Sequence, residues 1–396
     1  MGFRPGRSYS VGIGIALLLW TGLAGAAALA QSATETPISV GTLDSGPSPL
    51  ALGDNPSRKL LINGFGVVGY GFDDTGESSF EASALALSLY KDVSDHLSVF
   101  AQLTAAREGP SPFLADQGAG GSRDVSTDID NLQLRWMPSS SSGFDLTFGK
   151  FDSPLAIERD DAPLNFQATE SFTFRFARPV KFTGLQLHEA FSPAFEGWAI
   201  VANGADVDTD NNKAKTAALY GLWSPSLAAH VGLGVIHGAE KDGTSRDPRT
   251  TAVATLLFQP VARLVWGGET VVGSEPHAAE DGGRAQWFAQ MLFVHARCGR
   301  HWGATLRLDG LDDRDGSRTG TRQVLKSLTL SPQYLVGGGF FGIFRYLDRT
   351  TLRLPETAVR LDLRYDRSTE PVFASKEEGV GRRDHTSATL QAVFLF

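Results

Sequence analysis

The sequence predicts an all-β fold, a transmembrane antiparallel up-and-down β-barrel of about 16 strands. Three observations carry this. Residues 386–396 form an apolar strand of period two, residues 1–30 carry an export signal, and between them lie alternating ten-residue segments whose connections are sorted by length.

Arg4 and Arg7 form a basic region, residues 11–23 an apolar core, and Ala28-Leu29-Ala30 a small-x-small cleavage pattern. Cleavage is expected between Ala30 and Gln31, which removes a signal peptide over 1–30. The apolar run is about a dozen residues, short of the roughly 20 that span a bilayer as a helix. The absence of a lipobox-type cysteine there argues against a lipoprotein. Segment 31–59 is rich in Ser, Thr, Pro and Gly without sustained periodicity and reads as a flexible periplasmic segment. The barrel is expected over 60–396.

The chain of 396 residues has one cysteine, Cys298, which excludes an intrachain disulfide and any multi-cysteine zinc or iron–sulfur site. After residue 30 no apolar run approaches the ~18 residues of a spanning helix. The 44 glycines disfavour long helices and suit close strand packing and tight turns. A net charge of −8 gives no support to nucleic-acid binding, which needs clustered basic residues. No cofactor is expected. Asp206, Asp208, Asp210 and Asn211 are spaced like a calcium-binding loop, but the twelfth position from Asp206 is Ala217 where a bidentate Glu would stand. A solvated acidic loop is the better reading, and no metal is expected.

From residue 60 onward side chains alternate between two faces, as in extended strands. Leu132, Leu134 and Trp136 oppose Asn131, Gln133 and Arg135; Leu185, Leu187 and Phe191 oppose Gln186 and His188. Trp302, Ala304, Leu306 and Leu308 oppose Thr305, Arg307 and Asp309; Val359, Leu361, Leu363 and Tyr365 oppose Arg360, Asp362, Arg364 and Asp366. In the last strand Ala388, Leu390, Ala392, Phe394 and Phe396 share a face. Phe394 and Phe396 are the expected signal for the outer-membrane barrel assembly machinery.

A soluble sheet alternates too, so the connections decide. They are tight at Ser192-Pro193, Ser224-Pro225, Gln259-Pro260 and 297–300, and long and polar over 109–126, 152–179, 203–213, 239–247, 273–283, 310–320 and 368–384. Short turns on one rim and long loops on the other belong to membrane barrels. Trp136, Trp198, Trp223, Trp266, Trp302 and Tyr365, near strand ends, fit interfacial girdles. A literal count gives 17 strands, an odd number that two periplasmic termini do not allow, with the expected overcount at 335–345. Ser331-Pro332 reads equally as a turn or as part of a long strand.

In hydrocarbon every backbone polar group needs a protein partner, so the strands must close on themselves. A barrel of about 16 strands is too wide for side chains to fill and leaves an aqueous channel unless a loop folds in. The longest connection, 152–179, interleaves Phe166, Phe172, Phe174 and Phe176 with charges. Either it bends inward, making Glu158, Arg159, Asp160, Asp161, Arg175 and Arg178 constriction residues, or it is an external loop with an ordinary strand over 171–178. On the inward strand faces Arg307, Asp309, Arg360, Asp362, Arg364 and Asp366 form a charge ladder. It either sets a transverse field for solutes or neutralises itself and braces neighbouring strands; with both signs present, strong ion selectivity does not follow.

The text F-G-K-F-D-S-P-L-A-I-E from Phe148, followed by S-F-T-F-R-F-A-R-P-V-K-F-T-G-L-Q-L from Ser171, resembles the β-barrel porin family of the OmpL-like type. Asn203-Gly204 with Asp206, Asp208 and 210–213 resembles that family's N-G-x-D…D-N-N-K loop. The run 312–320 leading to Ser327-Leu328-Thr329-Leu330, and L-R-Y-D-R-S from Leu363 with Phe373, are similar to two further family segments. The resemblance covers most of 60–396 and implies a pore-forming outer-membrane barrel of a Gram-negative bacterium that passes small hydrophilic solutes. It carries over no catalytic residues.

Two other classes remain in competition. A barrel hydrolase would need a Ser, His and acidic constellation, yet the eight histidines are scattered and none accompanies a G-x-S-x-G motif. A receptor or adhesin would use the long loops as contact sites with the lumen shut, but these lack an aromatic-rich patch. The expected partners are outer-membrane lipid, the assembly machinery and small solutes, without nucleic acid; homotrimer and monomer both stay open.

Overall fold

The structure is a computed structural model that describes residues 50–52, 59–107, 125–139, 143–226, 228–336, 357–377 and 380–396. The expected signal peptide, its Ala30–Gln31 junction and most of 31–59 lie outside the described residues.

Among the described residues, seventeen strands form one antiparallel sheet. They are β1 (Leu50–Leu52), β2 (Leu60–Asp73), β3 (Ser78–Ser94), β4 (Leu97–Arg107), β5 (Val125–Trp136) and β6 (Phe144–Asp152), then β7 (Lys181–Ser192), β8 (Phe195–Ala202), β9 (Thr216–Ser226), β10 (Ala229–Gly238), β11 (Arg249–Val261) and β12 (Leu264–Glu275). The remainder are β13 (Ala285–Arg297), β14 (Trp302–Asp313), β15 (Gln323–Val336), β16 (Thr357–Ser368) and β17 (Asp384–Leu395). The three residues of β1 pair with the start of β2, Leu52 opposite Leu60. The other strands pair in chain order, and β17 returns to β2 from Ser387↔Asp73 to Leu395↔Phe65. The result is a closed barrel of sixteen strands, which leaves no unpaired edge for lipid to meet.

The doubtful segment resolves through Pro332. Ser331-Pro332 is no turn: Pro332 pairs with Ala304 inside β15. On the other side the ladder passes from Leu330↔Leu363 to Gln333↔Arg360, skipping Ser331 and Pro332 where proline offers no N–H. Residues 337–345, the rest of the suspected overcount, lie outside the described residues. Pro225 and Pro260 likewise sit inside strands, because β9 runs to Ser226 and β11 to Val261.

Alternation separates outside from inside. Phe148 and Leu219 are 63% and 66% exposed on the outer face, whereas Arg307 and Arg360 on the inner face are at 1% and 0%. Two features depart from a simple greasy-outside, polar-inside pattern. Trp198, expected in a girdle, points inward and stacks on His188 at 4.9 Å between ring centroids. The inner wall of β8–β13 is largely apolar, with Ile200, Leu222, Val253, Val271, Met291 and Phe293 buried in one cluster. A water-filled tube would leave that wall wet; here the 153–180 connection covers it.

Candidate pore constriction

The connection leaves the end of β6 and re-enters at β7, its neck closed by Ser153 N–H donating to Val180 O at 2.8 Å. Asp206, in the next long loop with φ of 58°, pins the return by accepting the N–H groups of Val180 and Lys181 at 2.7 and 2.8 Å. Burial raises the Asp206 carboxyl above its ordinary range, against the pull of those two N–H groups.

Between these ends the loop turns into the barrel. Leu155, Ile157, Phe166, Phe172 and Ala177 join the apolar cluster of the inner wall, each fully buried large side chain contributing about 1.5–3 kcal/mol. Phe166 stacks on His295 at 4.3 Å and lies 5.5 Å from Phe293. Leu155 fits over Gly232, where a Cβ would come within 2.8 Å of its Cδ1. Trp287 Nε1 donates to Ala177 O at 3.0 Å. The ordinary strand entertained for 171–178 is absent: Thr173–Ala177 is one turn of π-helix, with Phe172 and Phe174 buried. Interleaved phenylalanines there serve a core inside the lumen rather than a pleated wall.

The charges follow the same logic. Glu158 Oε1 pairs with Arg307 Nη1, and its Oε2 accepts Ser171 N–H at 2.9 Å. Arg178 Nε pairs with Glu269 on β12, whose Oε2 accepts Ile157 N–H at 3.0 Å. Asp309 accepts Phe172 N–H at 2.8 Å, and Asp362 accepts both the N–H and the hydroxyl of Thr169 at 2.8 and 2.7 Å. Arg360 donates to Asn165 O at 2.6 Å and to Ala162 O at 3.2 Å. Arg364 donates to Glu170 O, holds Asp366 at 2.8 Å and lies over the Phe172 ring. The ladder residues thus spend most of their hydrogen bonds on the loop rather than on solute or on each other.

Other residues of the segment have different places. Arg159 folds back onto the neck, donating to Ser153 O at 3.0 Å. Arg175 faces water beside Glu170 at 3.8 Å. Asp160 and Asp161 lie across the lumen, Asp160 2.6 Å from Lys181 Nζ and Asp161 accepting Gln102 Nε2 of β4 at 2.6 Å. Lys181 also holds Asp152 at 2.8 Å and Asp130 at 3.1 Å. The carboxylates of Asp130, Asp160 and Asp161 lie within 4.8 Å of one another, and the Lys181 ammonium already supplies a cation to Asp130 and Asp160. The calcium-like residues do not converge: Asp206 caps the 180–181 backbone, Asp208 pairs with Lys150, and Asp210 with Lys215.

Sequence reasoning passed over Glu269, Gln102, Asp130 and Lys181. Glu269 had a signal, an acid between Val265 and Val271 on the inward face of β12; the others read as ordinary polar strand residues. Phe394 and Phe396 face outward, their rings lying over Gly66 and Gly64 of β2.

A closed sixteen-strand barrel with long loops at one rim and an inward connection after its fifth barrel strand defines a porin-class membrane channel fold. The model of the family described as "Putative beta-barrel porin-2, OmpL-like" matches residues 70–396, and the chain belongs to that family. It is therefore an outer-membrane porin of Gram-negative type. Among solved structures it is similar to an anion-selective porin from Comamonas acidovorans, at 12% identity and TM-score 0.56 over 86% of this chain and 100% of that one. Outer-membrane-expressed OmpT of Vibrio cholerae matches at 11% identity and TM-score 0.57, over 88% and 100% of the two chains. OmpF of Salmonella typhi matches at 8% and 0.56, over 88% and 100%. These likenesses show the shared fold. Comparison with curated protein sequences gives no match.

Proposed function

We propose that this porin is a passive diffusion channel for small hydrophilic solutes, narrowed by the 153–180 connection to a polar gap beside β4–β7. The observation that carries this is the loop's two-sided chemistry: an apolar root sealed against β8–β13, and a polar tip at Asp160 and Asp161. Export by a signal peptide cleaved after Ala30, insertion by the assembly machinery through Phe394 and Phe396, and a trimeric assembly complete the proposal. One Vibrio cholerae OmpT structure is described as a trimer form.

The test is conductance in planar bilayers. Deleting 160–167 is expected to raise the single-channel conductance severalfold; unchanged conductance refutes the constriction. A weak cation preference is also expected. Asp152, Asp160 and Glu170 keep 25%, 27% and 41% of their side chains exposed, whereas Arg159, Arg178 and Arg307 keep 7%, 1% and 1%, with Arg175 at 38% the one exposed guanidinium among these. Carboxylates at a gap favour cations. In a salt gradient the reversal potential should report cations, and Asp160→Asn should reduce it; a wild-type anion preference is the contrary result.

A further inference from the structure

We propose that residues 160–165 are a pH-dependent strap, seated across the lumen while Asp161 is protonated beside its neighbouring carboxylates and lifted when it ionises. This rests on the reading of the loop as the constriction. The loop has two mechanically different parts. Its root is locked by the apolar cluster and by the buried pairs Arg178–Glu269 and Arg307–Glu158. Its tip crosses the bore: Leu155 at the root touches Gly232 of β10, while Ala162 at the tip packs against the apolar cluster that includes Phe65, Ala86, Ala358 and Val393, on β2, β3, β16 and β17. In the ring β2 stands opposite β10.

Polar contacts hold the tip in that seat, besides the bonds between Asn165 and Arg159. Arg360 donates to the carbonyls of Ala162 and Asn165, Gln102 donates to Asp161, and Lys181 pairs with Asp160. Against them stands crowding of like charge. Asp160 and Asp161 on the tip meet Asp130 on β5 within 4.8 Å, and Asp152 at the end of β6 shares Lys181 with Asp130 and Asp160. Asn131 donates toward Asp130 and Asp152 at 3.3 and 3.4 Å, and Arg159 lies 3.9 Å from Asp152. One ammonium and one guanidinium thus face four carboxylates, and carboxylates this close do not all ionise without repulsion. Burial, then Asp160, Asp152 and Asp130, hold the Asp161 carboxyl well above the ordinary carboxylate range.

The sign follows from linkage. The seated state gathers the carboxylates and binds protons more tightly than a lifted state that separates them. Falling pH therefore favours the seat, and rising pH favours the open lumen. A difference of about one pKa unit between the states changes their ratio up to about tenfold.

The experiment records conductance and open probability of the full protein in planar bilayers from acid to mildly alkaline pH, for wild type, Asp161→Asn and Asp130→Asn, with the 160–167 deletion as reference. Wild type should lose open probability up to about tenfold toward acid. Either Asn variant should flatten that response, and the deletion should conduct alike throughout. A wild-type conductance indifferent to pH, or Asn variants that titrate as wild type does, overturns the strap while the deletion's larger conductance still upholds the pore. If neither wild type nor deletion conducts at any pH, the channel reading falls with it.

Discussion

Glu269→Ala is expected to be the most damaging single change inside the lumen. The Glu269 side chain is 2% exposed and accepts both Arg178 Nε and Ile157 N–H, so it ties the return and the outgoing arm of the loop to β12. Its loss strands the Arg178 guanidinium, itself 1% exposed, with only the carbonyls of Pro179 and Glu158 at 2.9 Å each. Breaking one side of a buried pair costs about 3–5 kcal/mol, whereas replacing both partners by apolar groups is often nearly neutral. The double replacement Arg178→Met with Glu269→Met should therefore recover much of the loss. Thermal unfolding in detergent, followed by the gel shift between boiled and unboiled protein, measures the cycle. Bilayer recordings should show noisy, enlarged conductance for the single variant. A Glu269→Ala protein with wild-type melting and conductance would mean that the apolar root alone holds the loop.

The barrel was legible because its outer face obeys one rule along the whole chain. Hydrocarbon demands Leu361, Leu363 and Tyr365 on one side of β16, and period two then assigns Arg360, Asp362 and Arg364 to the other without knowledge of the partner strand. The inner face obeys no such rule, because its partner is a loop distant in sequence. Nothing local distinguishes Met291 and Phe293 under a loop from residues in an ordinary core, nor tells that Arg360 reaches the carbonyl of Asn165 across 195 positions. Strand ends were also missed at Pro225 and Pro260, which read as turns, while Pro332 stays open between turn and strand. Pro225, Pro260 and Pro332 sit within strands, and a proline there costs only the bonds that its missing N–H would have made.

The seam between β2 and β17 should tolerate little added volume. Gly66 pairs with Phe394 across this seam, and a Cβ on Gly66 would lie 2.2 Å from the Phe394 ring; one on Gly64 would lie 2.7 Å from the Phe396 ring. Each ring covers a glycine on the neighbouring strand, a pairing in which an aromatic shields backbone that glycine leaves bare. Gly66→Val is therefore expected to displace the Phe394 ring and weaken closure, seen as partial loss of the compact unboiled band and of protease resistance. The clash is with a side chain, so Phe394→Ala in the same chain should restore part of the folded fraction at the cost of one lipid-facing ring. Gly64→Val should behave differently: its Cβ also meets the Ala86 carbonyl oxygen at 2.3 Å, and that is backbone. Phe396→Ala cannot relieve it, and the double variant should stay unfolded. Equal rescue at both positions would show that the seam yields as backbone, and that the rings, not the glycines, set its register.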